Sequence, residues 1–236
     1  MTRKFAAAAT GLVLLALAPA SPAQAPQDAL TDPALKGAEV IAFAGVKPGD
    51  RIADILAGRF VRAFSQAVGP NGKVYAVATA ELVKTHPTVI GMLNGIASGP
   101  GYSNVVVSAT PVNAMDLPHQ LDEVFIRQNY HDLHDKFMGP ADVPGFNRQV
   151  FAALKPGGVF IVLDHAAPVG SGLADTETLH RIDEAAVKSE VEAAGFVLDG
   201  ESHIFANPAD DHSKMVFDPS IRGKTDQFLL RFKKPG

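Results

Sequence analysis

The sequence has no cysteine and no tryptophan. The first absence excludes a disulfide framework, a thiolate-held zinc or iron–sulfur centre, and a thiol nucleophile. Aromatic residues make up only 7%, so no stacking platform stands out that would select a substrate. A basic surplus is missing too. The formal net charge is −4 with histidine neutral, which argues against a nucleic-acid partner. Charged residues reach only 19% against 47% hydrophobic, too apolar for a disordered chain. There is no phosphate-binding glycine loop ending in Gly-Lys-Ser/Thr and no Gly-x-Ser-x-Gly nucleophile elbow. What remains is a chain of 236 residues that fits one globular domain.

One hydrophobic run stands apart from the rest. Arg3 and Lys4 open the chain, Phe5 to Ala18 is uncharged and mostly apolar, and small residues around Ala20 and Ala23 offer cleavage sites. This is the pattern of a secretory signal peptide over residues 1–25. The run is shorter than the roughly 20 residues that a membrane-spanning helix needs. Pro19 and Pro22 end it abruptly. The expectation is an exported chain, periplasmic or secreted, with no membrane association after cleavage. Residues 26–236 then form a single domain with a net charge of −6.

Past the signal, strand and helix patterns alternate. Short apolar strands are expected at residues 51–56, 73–78, 104–109, 122–127 and 159–163. Helical spacing covers residues 34–44, 60–68, 81–97 with a boundary near Pro87, 141–154, and a helix that Asp183 caps and Gly195 stops. Two late strands, 196–205 and 227–233, have only a polar loop between them. Alternation with strands apolar on both sides implies a three-layer α/β fold, mostly parallel, with an antiparallel pair at the C-terminal edge. In such sheets ligands bind beyond the carboxyl ends of the strands.

The order carries a resemblance. Lys47-Pro48-Gly49-Asp50-Arg51-Ile52-Ala53-Asp54, the glycine turn leading into residues 73–78, and residues 154–165 (LKPGGVFIVLDH) resemble class I S-adenosylmethionine-dependent methyltransferases. The strings at 127–135, 163–172, 178–183, 207–212 and 217–228 are similar to an exported group of predicted methyltransferases. The resemblance implies a Rossmann-like sheet, S-adenosylmethionine as cofactor, and a small-molecule acceptor. It places Asp54, Leu56, Ala57 and Gly58 in the cofactor turn, Glu81 near the ribose, Asn113 near the adenine and Asn129 beside the reacting end. This sequence departs from the family at three places. Leu56 and Phe60 stand where glycines are usual, and Ala78-Thr79-Ala80 lacks the acid that usually ends the second strand. Glycine is wanted in the turn because the backbone approaches the ligand closely there.

Histidines gather at the same strand ends. His131 and His134 follow the fourth strand and His165 ends the fifth, with Tyr130 and Asp132 beside them. They are open to three readings. His131 or His165 acts as general base while Tyr130 and Asp132 help hold the acceptor. Alternatively His131, His134 and Asp164 or His165 bind a divalent metal, although no residue is assigned outright as a metal ligand. In the third, the histidines fasten loops through Asp–His pairs. The function expected is an S-adenosylmethionine-dependent methyltransferase or a degenerate descendant. Two alternatives stay open: a non-catalytic ligand-binding protein with this fold, and a metal-dependent enzyme built on the histidine rim.

Overall fold

The computed structural model describes residues 27–236; the expected signal peptide lies outside the described residues. Seven strands form one sheet in the order β3-β2-β1-β4-β5-β7-β6. They are β1 (Arg51–Ile55), β2 (Lys73–Thr79), β3 (Val105–Thr110), β4 (Leu121–Arg127), β5 (Leu154–His165), β6 (Val197–Ser202) and β7 (Gln227–Lys233). The first five pair in parallel, and β7 runs antiparallel between β5 and β6. β1 pairs β2 on one side and β4 on the other, so the strand order reverses there. That reversal opens a crevice at the carboxyl ends of β1 and β4.

The sheet is covered on both faces, which is why its central strands read as continuous apolar runs. Alternate residues go to opposite cores. Ala53, Ile55, Val124 and Ile126 pack toward α5 (Val143–Ala153) and α7 (Glu184–Ala193), against Phe146, Val150, Val187 and Val191. Ile52 and Phe125 face the other layer, which holds α1 (Gly37–Ala44), α2 (Val61–Val68) and α4 (Thr88–Ala97). There Phe60, Phe64 and Phe125 form a triad with ring centroids 5.0–5.8 Å apart. Among the described residues, no helix is long and apolar enough to cross a membrane.

Most expected elements are present within a residue or two, but β5 is longer than the expected 159–163, starting at Leu154 where the helix was expected to end. Asp183 caps α7 by accepting a hydrogen bond from the Ala185 amide at 3.0 Å. The helix expected over 34–44 is broken. A 3₁₀ turn, Pro33–Leu35, is capped by Asp32, Lys36 turns left-handed (φ 47°), and α1 starts afresh at Gly37. Gly37 lies so close to Ala29 that a Cβ there would stand 2.3 Å from its carbonyl oxygen. The strand expected over 196–205 stops at Ser202. The polar segment 206–226 runs without strand or helix and folds back over the strand ends. Between β2 and β3, α3 (Ala80–Thr85) starts directly at the strand end, with the Thr79 hydroxyl accepting from the Leu82 amide.

Candidate active site

The crevice begins at the turn after β1. Asp54 is buried, with the Gly58 amide 3.5 Å from Oδ2. Burial pushes its carboxyl up to about 7, opposed by that amide and by Arg127. Leu56 takes the left-handed conformation (φ 56°) that a glycine adopts without strain, and its side chain is buried. Ala57 donates its amide to the Val77 carbonyl at 3.2 Å, which holds the turn against β2. Phe60 is almost fully buried and closes the back of the small pocket at this turn. Its ring belongs to the Phe64–Phe125 triad, so the second missing glycine is a core position. The pocket lined by Asp54, Leu56, Gly58, Arg59, Phe60, Phe125, Arg127 and Asn129 holds only about 110 Å³.

Arg127, the last residue of β4, divides that pocket from the larger space beside it. Its Nε is buried without a hydrogen-bond partner, and its guanidinium lies 6.0 Å from the Phe60 ring centroid. Burial and the neighbouring Arg59 lower its pKa to about 10, which still leaves it charged at neutral pH. Gln128 follows in the left-handed conformation (φ 53°), and so does His180 (φ 53°). Three strained non-glycine positions, Leu56, Gln128 and His180, therefore border one crevice, the pattern expected where backbone is shaped for a ligand.

The larger space is a cavity of about 670 Å³. Arg127, Asn129, His131, Asp132, His165 and His180 form its polar wall, and α3 with Phe137 and Phe217 forms the apolar one. This size suits a small organic ligand, whose sites run from about 300 to 1,000 Å³. A second space of about 230 Å³ adjoins it, with Arg59, Arg127 and Arg222 in its lining.

At the centre of the polar wall is a chain of charge-assisted bonds. His131 Nδ1 lies 2.8 Å from Asp164 Oδ1, its amide donates to Asp164 Oδ2 at 2.9 Å, and its Nε2 lies 3.2 Å from Asp132 Oδ1. Burial opposes a charge on His131, but Asp164 and Asp132 outweigh it and lift the imidazole to about 10. Asp132 is held well below the usual carboxylate range. Burial works against its charge, and bonds from His131, His180 and Asn129 prevail. Asn129 donates to Asp132 Oδ2 at 2.6 Å. His165 is the opposite case. Burial drives its pKa down to about 3, and its Nδ1 bonds the Thr225 hydroxyl at 2.8 Å.

These facts redraw the expected site. His131, Asp132, His165, Asn129, Asp54, Leu56 and Gly58 all line the crevice, and Ala57 is buried in the turn between the last two. Tyr130 does not line it. It is fully buried in the α5–α7 core, donates to Glu190 Oε2 at 3.1 Å and accepts from Asn147. His134 turns the same way, with Nε2 3.2 Å from Glu190, so it shares no ligand with His131 despite lying three residues on. Glu81 accepts from the Val112 amide at 3.1 Å, stitching α3 to the end of β3 rather than reaching a ribose. Asn113 is exposed and bonds the 140–142 segment through both its amide oxygen and nitrogen. His131, whose charged form its two carboxylates stabilise, is not free to accept a proton.

Some strings singled out in the sequence are scaffolding. Arg181 is fully buried, bonds both Asp210 oxygens at 2.9 and 3.1 Å, and donates to the carbonyls of Ala166 and Lys214. Asp226 accepts from His212 at 3.0 Å and from the Asn207 amide at 2.7 Å. Together they pin residues 206–226, and with them Val216, Phe217 and Arg222, over the crevice. Arg127 and His180 gained no role from sequence. Arg127 had a usable signal, since it ends a strand at the reversal point. His180 could be placed from sequence only in a loop flanking the mouth, and the chain's return after β5 is what brings it to His131.

No protein-family model matches the chain, and no curated protein matches its sequence. Solved structures do match its fold. An S-adenosylmethionine-dependent methyltransferase from Aquifex aeolicus shares 19% identity at a TM-score of 0.61, over 84% of this chain and 88% of its own. A putative sarcosine dimethylglycine methyltransferase from Galdieria sulphuraria shares 15% at 0.60, over 86% and 84%. The cyclase SpnF shares 14% at 0.59, over 86% and 80%. The fold is therefore the Rossmann-like methyltransferase fold.

Proposed function

We propose that this chain is an S-adenosylmethionine-dependent methyltransferase, or a descendant of one, acting on a small-molecule acceptor outside the cytoplasm. The observation that carries the reading is the 670 Å³ cavity at the strand-order reversal, joined through Arg127 to the pocket of Asp54. Its support from likeness is the fold shared with solved methyltransferases.

The residues fit the donor at one end only. Asp54, Gly58 and Asn129, polar groups on one small pocket, are placed to hold its amino-acid part. At the nucleoside end Glu81 and Asn113 are engaged elsewhere. When bound, the donor supplies a methyl group activated by a sulfonium. The chain's own work is to hold and orient. Arg127 is a fixed cation, Asn129 steers Asp132, and segment 206–226 screens the crevice from water. The two histidines expected as bases do not suit proton removal, because His131 is charged and His165 resists charging. Holding donor and acceptor together would by itself supply about 7–11 kcal/mol in well-oriented systems.

Calorimetric titration of the folded protein with S-adenosylmethionine and S-adenosylhomocysteine is expected to show one site for each. Absence of heat with both would overturn the reading. A second reading, a ligand-binding or non-transferase enzyme on the same fold, is favoured by the strained, buried Leu56 in place of a glycine. The likeness to a cyclase shows that this fold is not confined to methyltransferases.

A further inference from the structure

We propose that His131, Asp132 and His180 hold a divalent transition-metal ion in the wall of the large cavity, with Asp135 beside them. One ligand atom each from His131, Asp132 and His180 can be chosen so that all lie within 4.8 Å of one another. His131 Nε2 to Asp132 Oδ1 is 3.2 Å, and His180 Nδ1 to Asp132 Oδ1 is 3.8 Å. Two ligands about 2.1 Å from a shared ion at the tetrahedral angle stand about 3.4 Å apart, so these spacings bracket the metal-bound geometry.

Three further features point to an ion rather than a closed set of ion pairs. The first is the support behind His131. Its other ring nitrogen bonds Asp164, a fully buried carboxylate that also accepts the amides of His131 and His165. This is the carboxylate–histidine arrangement that orients a metal-binding imidazole, and a bound ion takes the place of the proton on Nε2. The second is Asp135. It is buried, its Oδ2 lies 3.8 Å from His180 Nδ1, and its Oδ1 has no hydrogen-bond partner. Burial of such an oxygen is costly without a cation or donor to meet it. The third is the charge balance, since three buried carboxylates, Asp132, Asp135 and Asp164, converge on two imidazoles.

The donor set fixes the class of ion. Two imidazole nitrogens with carboxylate oxygens and no thiolate suit zinc, manganese or iron, and suit calcium or magnesium poorly. The ligands line the 670 Å³ cavity, so a remaining coordination position faces the space where a ligand sits. The acceptor class that follows is a small molecule that ligates through oxygen. That last step rests on the methyltransferase reading; the metal site does not.

The test is zinc titration of the chelator-stripped protein without S-adenosylmethionine, followed by calorimetry. One zinc per chain is expected. His180→Ala, at a partly exposed position, is expected to weaken binding by more than about 100-fold. Asp164→Asn, behind the site, is expected to cost about 10- to 100-fold. His134→Ala is expected to bind as the parent does, because His134 faces Glu190. Circular dichroism checks that each variant is folded. No zinc bound by the parent, or equal loss in His134→Ala and His180→Ala, overturns the proposal. Failure here leaves donor binding untouched, and failure of donor binding leaves the zinc result standing.

Discussion

Replacing Arg181 by alanine is expected to lower the stability of the fold by about 3–5 kcal/mol, because it leaves a buried carboxylate unpaired. Arg181 has no exposed surface and Asp210 almost none. Their bidentate contact is the centre of a wider knot. Asp210 also accepts the amides of Asp226 and His212, and Arg181 donates to the carbonyls of Ala166 and Lys214. Desolvating both ions is expensive, so the intact pair adds little net stability, yet removing one partner exposes the full penalty. For a domain of this size that loss lowers the melting temperature by roughly 10 °C. The segment released, 206–226, carries Val216, Phe217 and Arg222 over the crevice, so ligand affinity is expected to fall with it. Thermal melts of Arg181→Ala check the first point, and a loss below about 1 kcal/mol would count against the knot.

Asp54→Asn is expected to stabilise the ligand-free protein at pH 8, by up to about 4 kcal/mol, and to do little near pH 4. Burial raises the Asp54 carboxyl to about 7 in the fold, from 3.8 when unperturbed. A raised acid favours folding while it stays protonated. Its contribution is whole below pH 4 and disappears as pH climbs through 7, where the folded carboxyl must ionise. Asparagine removes that cost and keeps an oxygen for the Gly58 amide. Arg127, the cation facing Asp54, offsets part of the penalty in the parent, which makes the figure an upper value. Glu123, also buried and pushed well up by desolvation and by Asp50, Asp54 and Asp122, titrates in the same sense in both proteins. Urea unfolding at pH 4.5 and 8 measures the difference. An equal gap at the two values would show that Asp54 is not buried as described. A buried acid kept at a candidate ligand site at this cost points to a ligand that supplies its missing partner.

The fold was largely legible. Continuous apolar strands and period-3.6 helices mark themselves locally, and β1 to β4 and α7 stand where residues 51–56, 73–78, 104–109, 122–127 and Asp183 placed them, while β5 starts at Leu154, ahead of the expected 159–163. The helix expected over 34–44 is interrupted because Lys36 adopts a left-handed turn and Gly37 packs closely on Ala29, neither of which helical spacing announces. The site was legible by position but not by direction. Strand ends announced Asp54, His131 and His165, and spacing could not tell that Tyr130 and His134 turn inward to Glu190. Nor could it tell that Glu81 and Asn113 are spent on backbone amides and carbonyls.

The sequence by itself determined the alternation of strand and helix, the mostly parallel sheet and the end of it where ligands go. These follow from backbone sterics and from periodicity in burial, which each short segment carries on its own. The tertiary structure alone decided which side chains meet. It set His180 beside His131 and Asp132 across some fifty residues of chain. It gave two histidines opposite charge states, because one is buried among carboxylates and the other is buried without a bonded one. Protonation and ligand geometry depend on desolvation and on neighbours brought from distant segments, and those exist only once the chain has folded.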